Sequence, residues 1–158
     1  MKLLREHYAI YLDATFGGSG SPDWFWIGDD IEDLATELNP DTETVKNIKG
    51  KTSVKDNGYE PSISADPYYA NPSDSIYPKL KDIAMNRLKG DACKTTILEV
   101  IIDKDTGSYD GWTEEVLVKP TSIGGGTEGV NIPFEITFRG NRKKVSVTID
   151  EDGDPLVE

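Results

Sequence analysis

The stretch Gly129-Val130-Asn131-Ile132-Pro133-Phe134-Glu135-Ile136-Thr137-Phe138-Arg139 decides the fold. Val130, Ile132, Phe134, Ile136 and Phe138 alternate with Asn131, Pro133, Glu135, Thr137 and Arg139. Successive strand side chains point to opposite faces, so a period of two specifies a half-buried β-strand. At about 3.3 Å per residue this strand reaches about 36 Å, well past the usual five or six residues. Gly140-Asn141 has turn chemistry, and Val145, Val147 and Ile149 resume the alternation. The reading is a wide hairpin with an apolar face that the rest of the chain must cover.

Working outward, 158 residues make one domain, large enough for a substantial core without staples. Cys93 is the only cysteine, so no disulfide framework exists and a reducing cytoplasm suits the chain. No apolar run approaches the roughly 20 residues of a membrane helix. Met1 to His7 turns polar too early for a signal peptide. Net charge is −12, with acidic clusters at Asp29–Asp33, Asp103–Asp110 and Asp150–Asp154. Such a surface favours solubility and repels polyanions, which argues against a nucleic-acid grip built on counterion release.

Before the decisive stretch, His7 to Leu12 reads as a short strand, followed by a Gly/Ser loop, Gly17 to Pro22. That loop lacks the Lys-Ser or Lys-Thr of a phosphate loop. Trp24 to Gly28 is an aromatic strand, with the tryptophans expected as core or interface anchors. In Asp29 to Asn39, Ile31, Leu34, Ala35 and Leu38 have helical spacing, and Asp30 is a candidate cap. Beyond Pro40, Asp56-Asn57-Gly58 predicts a hairpin tip, with an arm over residues 45–63. That arm has too few apolar residues to bury against its own domain, so it is expected to reach for a partner or stay mobile.

One helix is expected over residues 75–89, with Ile76, Leu80, Ile83, Ala84 and Leu88 as its stripe. Asp74 or Ser75 would cap it, Pro78 fits its first turn, and Gly90 would stop it. Thr95 to Ile102 and Trp112 to Ile123 are further strands. Residues 150–158 form an acidic tail expected to be exposed.

Chemistry is sparse. A zinc site or a Ser-His-Asp set would have to use His7 alone, or His7 with a distant Cys93. Asp103, Asp105, Gly107 and Asp110, and likewise Asp150, Asp152 and Asp154, lack the spacing of a calcium loop. Nothing singles out a catalytic pair among 29 carboxylates. No cofactor and no enzymatic activity are expected. The alternatives to a structural role are a carbohydrate-binding β-sandwich using Trp24, Trp26 and Trp112, and a hydrolase with a carboxylate pair in a cleft.

A resemblance runs along nearly the whole chain. Tyr11-Leu12-Asp13, the Gly/Ser loop and Asp23 to Gly28 come first. Glu37 to Thr44, Lys46 to Ser53, Gly58 to Pro61 and Asp66 to Ala70 follow. After one helix come a Gly-rich turn and Ile132 to Gly140. This order resembles the major tail tube proteins of tailed bacteriophages of Gram-positive hosts, or of phage-derived tail particles. The family implies a mainly β fold, a sandwich or barrel of two packed antiparallel sheets with one helix alongside. It also turns Asp33 to Leu38 into a strand, against its local spacing.

Further implications are six-membered rings stacked into a tube, with a long hairpin passing between subunits. By that reading Val54, Lys55, Asp56, Asn57, Gly58 and Tyr59 make inter-subunit contacts. Glu37, Asp41, Glu43 and Glu99 are the candidates to line the lumen. Other implied partners are the tape measure protein, the tail terminator and baseplate proteins. DNA would pass without specific binding, and the product would reside in the virion tail after assembly in the host cytoplasm. Six copies would carry about −72 per ring, a charge that repels phosphate.

Overall fold

The computed structural model describes residues 2–18, 20–104 and 107–158. Ser19 of the Gly/Ser loop, and Asp105 and Thr106 of the acidic turn, lie outside the described residues. The architecture is mainly β, with one α-helix and two antiparallel sheets among the described residues. In chain order the strands are β1 (Tyr8–Asp13), β2 (Trp24–Trp26), β3 (Thr36–Glu37), β4 (Pro40–Lys46), β5 (Thr52–Tyr59) and β6 (Ser62–Ala65). Then come helix α1 (Tyr77–Asn86), β7 (Lys94–Ile101), β8 (Tyr109–Pro120), β9 (Phe134–Ile149) and β10 (Pro155–Val157).

The larger sheet runs β2-β1-β7-β8-β9-β6-β3, with β10 also on β9. The smaller sheet is the β4–β5 pair alone. One face of the large sheet carries Ile10, Leu12, Ile97, Val116, Val118, Phe134, Ile136, Ile63 and Ala65, all buried in one cluster. Ile76 and Leu80 of the helical segment join that cluster. The sheet folds across this face, because the Tyr8 hydroxyl of β1 meets Thr36 Oγ1 of β3 at 2.8 Å. Strands far apart in sheet order thus supply both walls of the sandwich. The opposite face holds a smaller cluster of Ala9, Tyr11, Leu98, Val100 and Val147.

From Ile132 to Phe138 the decisive stretch keeps its alternation, with Val130 exposed, but it does not keep its turn. Phe134 and Ile136 are buried and Glu135 and Thr137 exposed, as the period of two demands. However, Gly140-Asn141 makes no hairpin: β9 continues through it to Ile149. Both residues have positive φ, 110° and 60°. The register to β8 slips here twice, between Thr113 and Glu115 and between Glu115 and Val116. Turn residues have become a bulge, which bends a strand without reversing it. The strand also starts late. Pro133 has no amide hydrogen to donate, and Asn131 makes only isolated bridges to Tyr69 and Gly124.

Four other expectations shift. Asp29 to Asn39 contains no helix, and its strand is only Thr36–Glu37, paired with Ile63 and Ser62. The α-helix is shorter than 75–89. Ile76 occupies its N-cap position with no side-chain cap, and it stops at Arg87, which adopts φ 50°, rather than at Gly90. Asp74 instead accepts from the Tyr68 hydroxyl at 3.0 Å. The hairpin turns at Asn47–Lys51, not at Asp56-Asn57-Gly58. Asn47 Oδ1 accepts the amides of Lys49 and Lys51 at 2.9 and 3.0 Å, mimicking a backbone turn. Asp56 and Gly58 lie inside β5, where the register slips between Pro40 and Thr42. Finally, the acidic tail is partly tied down: Asp150 to Asp154 turns the chain, and β10 returns along β9 with Pro155 buried.

One close approach fixes the β7–β8–β9 stack. A Cβ on Gly111 would sit 2.6 Å from Val147 Cγ2 and 3.3 Å from the Glu99 carbonyl. Val147 is fully buried and has no room to retreat. Gly111→Ala is expected to destabilise by about 1–3 kcal/mol through overpacking. Urea denaturation reads this; an unchanged midpoint contradicts the stack.

Candidate functional site

Two places stand out: the arm made by β4 and β5, and a polar cluster inside the sandwich at the foot of that arm. Every residue of β4 and all of β5 except Gly58 are exposed. Thr42, Glu43, Thr44, Val45 and Lys46 pair with Asp56, Lys55, Val54, Ser53 and Thr52. Most of these residues are β-branched or charged; the β-branched ones favour a strand, and the charged ones give no core. Apolar groups are nonetheless present and solvated. Val54 is 71% exposed, Tyr59 63%, and Ile48 at the tip is completely exposed. An isolated two-stranded hairpin is marginal in water. Such an arm keeps one shape only if something else packs on it.

Val54 to Tyr59 therefore form the returning strand of the arm rather than its tip. Glu37, Asp41 and Glu43 are exposed along β3 and β4, and Glu43 lies 3.5 Å from Lys55 across the arm. Glu99 is placed differently. It is 5% exposed, inside the sandwich, because Glu99 shares the inward face with Ile97. A carboxylate held there is withdrawn from solvent in the single chain.

Glu99 belongs to a cluster that sequence reasoning missed. Arg142 Nη1 donates to Glu99 Oε1 at 2.9 Å and to Glu114 Oε1 at 3.0 Å. Glu114 Oε2 accepts the Gly140 amide at 3.1 Å. The bulge in β9 thus aims Arg142 inward, and Glu114 holds the bulge. The Tyr8 hydroxyl donates to Glu99 Oε2, and Thr36 Oγ1 stands 3.3 Å from the same oxygen. The Arg142 guanidinium also lies 5.9 Å from the centre of the Trp112 ring. Burial would lower the Arg142 pKa, but the bonds to Glu99 and Glu114 outweigh it and raise the value. These groups floor a cleft of about 870 Å³ whose rim includes Leu38, Tyr59 and Phe138. Both carboxylates turn an oxygen to the arginine, so the set ties β1, β3, β7, β8 and β9 together.

Burial, then donation to Glu99, raises the Tyr8 phenol above its ordinary value of 10.0. The folded chain thus keeps this proton longer than the unfolded chain. The associated stability is whole below the ordinary value and is lost as pH rises toward the folded one. Between about pH 9 and about pH 11, wild-type stability is expected to fall more steeply than that of Tyr8→Phe. Equal slopes contradict burial of this phenol.

Other candidate sites do not assemble. Trp24 and Trp26 pair with Asp13 and Tyr11, on the face of Leu98. Trp112 pairs with Glu99, on the opposite face. The three rings form no shared platform for a sugar. His7 and Cys93 lie at opposite ends of β7, and Cys93 is buried with its thiol 3.3 Å from the Leu88 carbonyl. Carboxylate oxygens of Asp150, Asp152 and Asp154 come within 4.8 Å of one another. Asp150 Oδ1 accepts the amides of Asp152 and Asp154 at 2.9 Å each, which explains the turn without an ion. Asp105 of the other acidic turn is outside the described residues. Among the described residues no helix is long and apolar enough to cross a membrane.

The mainly β fold, with one α-helix and two antiparallel sheets among the described residues, resembles that of a phage tail-tube protein. The chain matches the structure of the SPP1 tail tube determined by solid-state NMR and cryo EM. The TM-score is 0.60 at 14% identity, covering 90% of this chain and 78% of that one. No protein-family model matches the sequence, and no curated protein does.

Proposed function

We propose that this protein is the repeating structural subunit of a phage tail tube. Copies associate through the β4–β5 arm into six-membered rings, and the rings stack into a tube. The observation that carries this reading is the arm itself: seven and eight residues of paired strand, all exposed except Gly58 among the described residues. A head-to-tail contact between identical chains closes a ring or grows a filament, and a tube needs both. The likeness to the SPP1 tail tube supports the same reading.

Within the tube, Glu37, Asp41 and Glu43 face the bore, while Val54 to Tyr59 contact a neighbouring copy. At −12 per subunit, the wall repels a passing duplex and lets it slide. The tape measure protein, tail terminator and baseplate proteins complete the tail in the virion, after assembly in the host cytoplasm. No turnover of a substrate is part of this role. Electron microscopy of concentrated protein tests it. Rings or tubes of uniform diameter are the expected result; a monodisperse monomer at every concentration, alone or with tail extract, contradicts it.

A further inference from the structure

The arm tip is basic in an acidic protein. Lys46, Lys49 and Lys51 flank Ile48 in the sequence, and Ile48 is the most exposed large apolar side chain among the described residues. Among the described residues none of these lysines is in an ion pair, whereas Lys55 lower on the arm pairs with Glu43. The turn is held by its own backbone, with the Asn47 amide bonded to the Lys51 carbonyl at 2.9 Å. A tip with three unpaired cations flanking a solvated isoleucine in sequence is built to enter something acidic with an apolar floor.

The same chain carries such a cleft. Between β2 and the segment after it lies a hollow of about 640 Å³, lined among others by Tyr8, Phe25, Ile31, Leu34, Asp29 and Glu32. Four of the five residues Asp29–Asp33 are carboxylates, and none is in an ion pair among the described residues. Arg5 at this hollow is already occupied, donating to the carbonyls of Tyr8 and Leu34 at 2.6 and 2.8 Å. The loop is shaped, with Asp30 at φ 63° and the Ile31 amide bonded to the Gly28 carbonyl at 3.1 Å. An arm of seven residues extends about 23 Å, and its exposure on both faces shows that it does not lie back on its own body.

We infer that the tip of one copy seats in this hollow of a second copy. Ile48 covers the Phe25–Ile31–Leu34 floor, and Lys46, Lys49 and Lys51 face Asp29, Glu32 and their loop. This rests on the proposal that the arm joins subunits, and it names the surface the arm meets. Complementary charge sets the register and the partner, and added salt weakens the contact.

Zero-length carbodiimide coupling tests it, since it joins only amines and carboxylates in contact. Mixed ¹⁴N and ¹⁵N full-length protein separates bonds between copies from bonds within one. The expected products link Lys46, Lys49 or Lys51 of one isotope to Asp29–Asp33 of the other. Coupling is expected to fall about tenfold in Lys49→Glu/Lys51→Glu and in Asp29→Lys/Glu32→Lys, and to return when those two variants are mixed. Tip lysines coupled between copies to other carboxylates overturn this socket and leave the arm's role standing. No coupling between copies, under conditions where the protein is folded, overturns both.

Discussion

A chain in which residues 43–55 are replaced by a short Asn-Gly turn is expected to fold as a monomer and to lose tube assembly entirely. Thr42 and Asp56 already face each other across the arm, so a tight turn can close there. Everything removed is exposed, so the body should lose little. Surface changes of this kind stay within about 0.5 kcal/mol, or roughly 2 °C in Tm. Circular dichroism reads the fold, and sedimentation reads the assembly. Normal tubes from this variant would show that the arm does not join subunits. A variant that unfolds would show that the arm belongs to the core after all.

The second large effect lies inside. Arg142→Met leaves Glu99 and Glu114 facing each other without their shared cation, at side-chain exposures of 7% and 8%. Breaking a buried pair typically costs about 3–5 kcal/mol. The Arg142 side chain is 42% exposed, so water relieves part of the loss. A destabilisation of about 2–4 kcal/mol is expected, a fall in Tm of about 6–12 °C. Adding Glu99→Gln to Arg142→Met should restore part of it, because one of the stranded charges is gone. Urea titration of the two variants checks both statements. A loss below about 0.5 kcal/mol for Arg142→Met would mean the cluster does not tie the strands.

The sheet was legible because alternation is a property of the chain itself. Phe134 and Ile136 faced inward as the pattern required, and the helix around Leu80 and Ile83 formed where the stripe lay. What failed was local chemistry with more than one solution. Asn-Gly and Gly-Asn pairs permit positive φ, and positive φ serves a bulge as well as a turn. Gly140-Asn141 took the bulge. The hairpin turned at Asn47, whose side chain substitutes for a backbone acceptor, and left Asn57-Gly58 inside a strand. Asp29 to Asn39 had helical spacing, but the pairing of Thr36 with Ile63 took its end into the sheet. The Glu99 site did leave a trace in the sequence. A carboxylate within Ile97-Leu98-Glu99-Val100-Ile101 is costly to bury unless a cation meets it. The trace said that a partner exists, but only the fold could bring Arg142 to it across 43 residues. The exposed face of the arm was legible only as a deficit: strands with too little apolar surface to stand alone.

A cryo-EM reconstruction of the assembled protein at side-chain resolution bears on all of this at once. The expected map shows six-fold rings in which each β4–β5 ribbon is covered by another copy, with Ile48 removed from water. A map of a ring or tube in which the ribbons project freely, or fold onto their own subunits, would contradict the idea that this chain is completed by its neighbours.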